Sequence, residues 1–307
     1  MLRRIIFALS RSRMAARVVM HAPGIRSFSR RFVAGTTRAD AIEAVRRLNA
    51  DGFEATVSFL GEAVTSPAEV DGAVAEFCAF ATAVRAEGLR SHLSIKLTEL
   101  GLDFDHDLAR RSLDVVLARA GEAGTFVRID MEDARHTQVT LDIFREAHLA
   151  HRNVGVVIQS ALRRSDADVA QLAAAGAPVR LVKGAYREPH DVAYEDKSDV
   201  DAAFVRLVDL YLANIADAGW LAVATHDARM IRAAIRSAEA RAVPRERIEF
   251  QMLYGIRGDL QRRLRDDGYR VRVYVPYGSH WYPYLMRRLA EHPANLWFFV
   301  RNAFRRS

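Results

Sequence analysis

Positive charge in this chain is carried almost wholly by guanidinium: of 45 basic residues only three are lysine, Lys96, Lys183 and Lys197. Two of the three stand among other groups able to do chemistry. Lys96 lies in "HLSIKL", and Lys183 lies in "RLVKGAYR" with Arg180, Gly184, Ala185 and Tyr186. A lysine amine freed of its proton forms Schiff bases with carbonyls, so a lyase or aldolase nucleophile is one reading. A compact ammonium beside a glycine, whose bare backbone lets a bound group approach closely, is the other. Asp130 and Met131 end "TFVRIDM", and Asp133 follows where a helix cap belongs. Gln159 ends "NVGVVIQ", Thr225 and His226 end "WLAVATH", and Gln251, Tyr254 and Tyr274 occupy similar places further on. His226 is either a satisfied structural histidine or a ligand contact, and with no second histidine at such a place it argues against a metal centre. In "WYPYLMRRLAEHPAN", Arg287 and Arg288 adjoin, with Glu291 about one helical turn later. Adjacent arginines on a helix form a solvated face, or else a planar fork that grips a carboxylate in bidentate fashion. With Lys96 opposite, three cations would converge on one small anion, walled by Tyr186 and Tyr274. A small amino or hydroxy acid fits that description.

The elements that must position these groups follow from periodicity. Mostly apolar, often β-branched runs recur at 54–61, 92–97, 125–131, 153–159, 178–184, 220–226, 247–253 and 269–275. Between them lie segments with apolar residues three and four apart, at 68–88, 106–122, 137–151, 166–176, 199–218, 228–241 and 257–267, which predict helices. Strands that alternate with helices pair in parallel, and near-continuous apolar strands are buried on both faces. Eight such units predict an α/β fold, a (β/α)8 TIM-like barrel, over an open doubly wound sheet. Neither G-x-G-x-x-G after the first strand nor G-x-x-x-x-G-K-[ST] anywhere is present. In such a barrel the chemistry sits at the C-terminal strand ends, where the polar candidates cluster.

The basic balance, net +7, is local. Residues 1–38 hold nine arginines and no acid, leaving 36 basic against 38 acidic residues in the rest. A body so close to neutral is a poor candidate for phosphate-backbone binding, which needs a basic face on the fold itself, so no nucleic-acid partner is expected. The chain divides into a basic N-terminal helical arm, 1–50, and a barrel, 51–307. Three readings of the arm stand: a structural helix on the body, a membrane-surface helix drawn to anionic lipid, and an arginine-rich targeting segment. No apolar run approaches the ~20 residues a membrane span needs. One cysteine, Cys78, excludes an internal disulfide and points to a reducing, cytoplasmic setting.

Through "LSIKLTELGLDFD", "VRIDMED", "VGVVIQSALRRSDAD", "RLVKGAYREP", "ATHD", "FQMLYGIR" and "RVYVPYGSHWYPYLMRRLAEHPAN", the chain resembles the proline dehydrogenases over about residues 50–296. It is similar to their stand-alone bacterial form and to the corresponding domain of bifunctional proline-utilisation flavoproteins. The resemblance implies a flavin-bearing barrel that oxidises L-proline to Δ1-pyrroline-5-carboxylate, with non-covalent FAD as acceptor. It implies that Lys96, Arg287 and Arg288 hold the proline carboxylate and that Tyr186 and Tyr274 pack on the ring. Asp130 would lie beside substrate and flavin, paired with a site arginine, while Arg180 would lie near flavin N5 and Glu291 would fix the paired arginines. Met131, Gln159, Lys183, Gly184, Ala185, Thr225 and His226 fall where the family contacts FAD. The family's passage of electrons to a membrane quinone makes the arm a candidate for peripheral contact with the inner face of the membrane. His292 stands where arginine is more usual and Ala161 where an aromatic is common. 4-Hydroxyproline as substrate, a Schiff-base lyase or aldolase, and a non-catalytic binder of nucleic acid or membrane acting through the arm are the alternatives.

Overall fold

The computed structural model describes residues 29–61, 64–186, 188–216 and 218–291, with side chains through residue 286. The arm before residue 29 and His292 lie outside the described residues, as do the side chains of Arg287, Arg288 and Glu291. In chain order the elements are α1 (Arg38–Ala50), β1 (Glu54–Phe59), α2 (Pro67–Ala86), β2 (Ser91–Ile95), α3 (His106–Glu122), β3 (Val127–Ile129), α4 (Ala134–Ala150) and β4 (Val154–Gln159). They continue with α5 (Ser165–Ala174), β5 (Val179–Val182), α6 (Lys197–Asn214), β6 (Leu221–Ala224), α7 (Ala228–Ala240), β7 (Ile248–Leu253), α8 (Gly258–Asp266), β8 (Arg270–Tyr277) and α9 (Trp281–Glu291).

The eight strands pair in parallel and in sequence order, and β8 closes on β1, with Glu54 opposite Arg272 and Phe59 opposite Tyr277. The predicted (β/α)8 barrel is thus the observed fold: most strand ends fall one or two residues inside the predicted bounds, β2 begins one residue earlier at Ser91, and β8 runs two residues further to Tyr277. The trimming at β5 has a physical cause: Gly184 takes φ +108°, a conformation that turns the chain out of the ladder. Asp105, Asp133 and Asp227 cap α3, α4 and α7, accepting backbone N–H bonds that each first turn leaves open. Asp133 therefore has the capping role expected of it.

The core is the apolar sleeve between barrel and helices, with Val156, Val179, Leu221 and Phe250 fully buried. Burial of this kind contributes roughly 1.5–3 kcal/mol per large aliphatic side chain and holds the strand ends in fixed relation. Helix α1 belongs to the same core through Ala41, Ala44 and Val45, and packs against β1 and β8. No helix among the described residues is long and apolar enough to cross a membrane.

Candidate active site

Residues two apart along a strand share a face, and three such pairs point into the barrel: Arg128 with Asp130, Glu249 with Gln251, and Arg272 with Tyr274. Their contacts cross the lumen. Arg180 of β5 donates from Nη1 to Asp130 Oδ1 at 2.6 Å and to Ser94 Oγ of β2 at 2.9 Å, and from Nε to Gln251 Oε1 of β7 at 2.5 Å. Tyr274 O–H donates to the other oxygen of Asp130 at 3.0 Å, and its ring lies 5.5 Å from the Arg180 guanidinium carbon. Both carboxylate oxygens of Asp130 are thereby engaged and its rotamer is fixed. Burial, and then the charge of Asp130, push the Tyr274 phenol above its ordinary range, so the proton stays on Tyr274.

On the β2 side of the mouth, Lys96 Nζ pairs with Glu99 Oε1 at 2.7 Å. Burial disfavours the ammonium, but Glu99, with Tyr274 and Asp130, more than offsets this and raises the Lys96 pKa. Glu132 accepts from Thr98 N–H at 3.3 Å and Thr98 O–H at 2.8 Å, and burial raises its pKa. A cavity of about 270 Å³ opens here between Thr98, Glu99, Glu132 and Tyr186, a small-molecule scale. Tyr186 stands at its edge, 44% exposed.

The ends of β4, β5 and β6 form the opposite arc. Gln159 Nε2 donates to the Glu132 carbonyl at 2.6 Å, which turns its Oε1 towards Gly184. A Cβ on Gly184 would lie 2.8 Å from that oxygen and 3.2 Å from Ala161 Cβ, so only glycine fits. Gly184 and Ala185 leave their backbone exposed, as an approaching cofactor requires. Lys183 Nζ is held by Asp201 at 2.5 Å and Asp227 at 3.4 Å. Thr225 and Met131 are buried, and His226 Nε2 accepts the Leu253 N–H at 3.0 Å, which leaves its proton on Nδ1. A side-chain-free backbone flanked by an ammonium and an amide suits an extended anionic cofactor such as a flavin dinucleotide, so the residues present fit one.

Structure thus brings Lys96, Asp130, Arg180, Tyr186 and Tyr274 to one mouth and places Gln159, Lys183, Gly184, Ala185, Thr225 and His226 along its other side. Arg287, Arg288 and Glu291 lie on α9, directly after β8. Sequence reasoning overlooked Ser94, Glu99, Glu132, Glu249 and Arg272. For Ser94, Glu249 and Arg272 a signal was available, since each stands two residues before a polar group already singled out, Lys96, Gln251 and Tyr274.

A family model described as proline dehydrogenase matches residues 41–301. The chain belongs to the proline dehydrogenase family. Its similarity to "Proline dehydrogenase 1" of Bacillus subtilis subsp. natto is 41% identity over 307 residues, 100% of both chains. The proline dehydrogenase of Deinococcus radiodurans is 42% identical over 281 residues, covering 90% of this chain and 89% of that one. Among solved structures, proline utilization A from Bdellovibrio bacteriovorus, inactivated by N-propargylglycine, superposes with a TM-score of 0.80 at 28% identity. That match covers 90% of this proline dehydrogenase family chain and 33% of the longer protein.

Proposed function

We propose that this chain oxidises L-proline to Δ1-pyrroline-5-carboxylate with non-covalent FAD, the first step of proline breakdown to glutamate, and passes the electrons to a membrane quinone. The observation that carries the reading is the divided mouth. Groups suited to a small amino acid line the β8, β2 and β3 side, groups suited to a dinucleotide line β4 to β6, and Arg180 reaches from one to the other. Family membership over most of the chain supports the substrate and the flavin.

Lys96, kept charged by Glu99, would meet the substrate carboxylate together with Arg287 and Arg288 from α9, while Glu291 holds the arginine pair. Tyr186 and Tyr274 would cover the pyrrolidine ring. Gln159, Lys183, Gly184, Ala185, Thr225, His226 and Met131 would hold the cofactor. FAD, when bound, supplies the acceptor for a hydride from the ring carbon next to nitrogen. What the chain itself adds is alignment: cations fix the carboxylate end, and the clamped Asp130–Arg180 pair fixes the boundary between substrate and cofactor. The substrate nitrogen must be neutral before hydride leaves, and water reaching the mouth takes that proton. The basic arm would aid contact with the membrane that holds the quinone, drawn by anionic lipid.

A Schiff-base lyase needs a neutral lysine. Lys183 is instead held by two carboxylates, and Lys96 has its pKa raised, which disfavours that chemistry at both. Anaerobic titration of the purified protein with L-proline tests the proposal: the visible flavin absorption should bleach. Flavin-loaded protein whose absorption withstands both proline and 4-hydroxyproline would falsify it.

A further inference from the structure

We infer that Gln251, on β7, is a positioning residue that locks the plane of the Arg180 guanidinium at the boundary between substrate and cofactor, and that Glu249 sets which end of the Gln251 amide does so. The inference deepens the proposed function and rests on it for what Arg180 faces.

Arg180 is 4% exposed, so its donors must find partners inside the barrel. Asp130 and Ser94 both bond to the same nitrogen, Nη1. A guanidinium anchored at one nitrogen can still swing about that anchor; a second anchor at Nε removes the swing, and Gln251 Oε1 supplies it at 2.5 Å. An amide can present either its oxygen or its NH2, and only the oxygen can accept from Arg180. The choice is made two residues earlier on the same strand. Glu249 Oε1 lies 2.5 Å from Gln251 Nε2, and an ionised carboxylate only accepts, so the NH2 must face Glu249 and the oxygen must face Arg180.

Glu249 is fully buried and stays ionised because Arg272 grips it with Nε at 2.9 Å and Nη2 at 3.0 Å. Arg272 is fixed in turn by the Ala55 carbonyl at 2.8 Å and by Glu54. A continuous line of polar contacts therefore runs from Glu54 through Arg272, Glu249 and Gln251 to Arg180 and Asp130. With a neutral group at 249 the amide could invert and oppose one donor to another.

The test compares wild-type protein with Gln251→Met, which keeps length and loses both hydrogen-bonding ends. Three readouts are taken: the flavin midpoint potential, the solvent exchange of the Arg180 Nε–H in 15N-arginine-labelled protein (assigned by its absence in Arg180→Lys), and thermal stability. A guanidinium that drifts from the cofactor stabilises its reduced form less. The oxidised-to-reduced equilibrium should therefore shift at least tenfold towards oxidised, about 30 mV for two electrons, and the Nε–H should exchange at least tenfold faster. A residue that only fills space would lower the melting temperature and leave the other two unchanged; an unchanged potential in flavin-loaded protein, or equal exchange in the two proteins, overturns the clamp. Should the wild type carry no flavin, the proposed function falls, and the exchange rate alone decides the clamp.

Discussion

At the scale of single residues, the centre of the site is a carboxylate with no freedom. Asp130 accepts from Arg180 and Ser94 on one oxygen and from Tyr274 on the other. The Arg180 contact is charge-assisted and nearly buried, the Tyr274 contact is a neutral donor to a charge, and such bonds contribute about 1.5–3 kcal/mol each. Tyr274→Phe keeps the ring that would cover the substrate and removes only the O–H, leaving one Asp130 oxygen unsatisfied. We expect kcat/KM for L-proline to fall about tenfold or more, equivalent to ~1.4 kcal/mol of lost transition-state stabilisation. The flavin content should not change, because Tyr274 lies on the substrate side of the mouth. Steady-state kinetics on the purified variant checks this, and an unchanged kcat/KM would separate the phenol from the site.

At the scale of elements, Gly155 shows how one strand is fitted to another's side chain. It sits inside β4 with Arg128 of β3 packed directly over it, and Arg128 Nη1 donates to Pro178 O at 2.6 Å and Val156 O at 3.2 Å. A Cβ at 155 would collide with Arg128 Nη1 and lie 2.6 Å from the Pro178 carbonyl, a backbone atom that cannot move aside cheaply. Gly155→Ala should therefore lower the unfolding free energy by about 1–3 kcal/mol, read as a lower urea midpoint at unchanged m-value; an equal midpoint would show that the barrel yields there. The strands themselves were legible in sequence, because apolar β-branched runs between helical patterns leave little else for them to be. Strand-end candidates such as Asp130, Gln159 and Lys183 were legible for the same reason, once a barrel fixed where to look. Their partners were not. Arg180 meets Asp130 from 50 residues away, Gln251 from 71 and Ser94 from 86, and no local spacing records contacts that closure of the barrel creates. Arg128, Glu249 and Arg272 look like interruptions of apolar runs until the lumen they face is known to be polar.

At the scale of the whole molecule, that polar lumen concentrates positive charge in a body that is near neutral overall. Arg128, Arg180 and Arg272 are all buried, and no carboxylate pairs with Arg128 among the described residues. His92, on β2, packs in tilted contact with Phe126 at 5.0 Å and Trp220 at 6.3 Å between ring centroids. Burial first, then the charges of Arg272, Arg128, Arg180 and Arg270, hold its pKa well below the ordinary 6.5, although part of its surface is exposed. His148, buried on α4 and near Arg152, is lowered in the same direction. For a base depressed in the folded state, the unfolded chain takes up the proton first as pH falls. Below about 6.5 the unfolded state therefore binds more protons, and folding stability declines with acidification until the folded histidine titrates too. Buried Glu249 has its pKa lowered by Arg272 against the opposing effect of burial, so its contribution is present above the ordinary carboxylate range and is lost only at more acid pH. The two windows separate on the pH axis. Urea unfolding of the wild type from pH 7.5 down to about 3 should show stability falling with acidification, and His92→Phe, which preserves the aromatic cluster, should flatten the slope between about pH 7 and 5 while leaving the decline below about pH 4 in place. Parallel slopes in the two proteins would mean that His92 takes up its proton over the same pH range in the folded barrel as in the unfolded chain, and that the lumen accepts a fourth cation beside its three arginines without penalty.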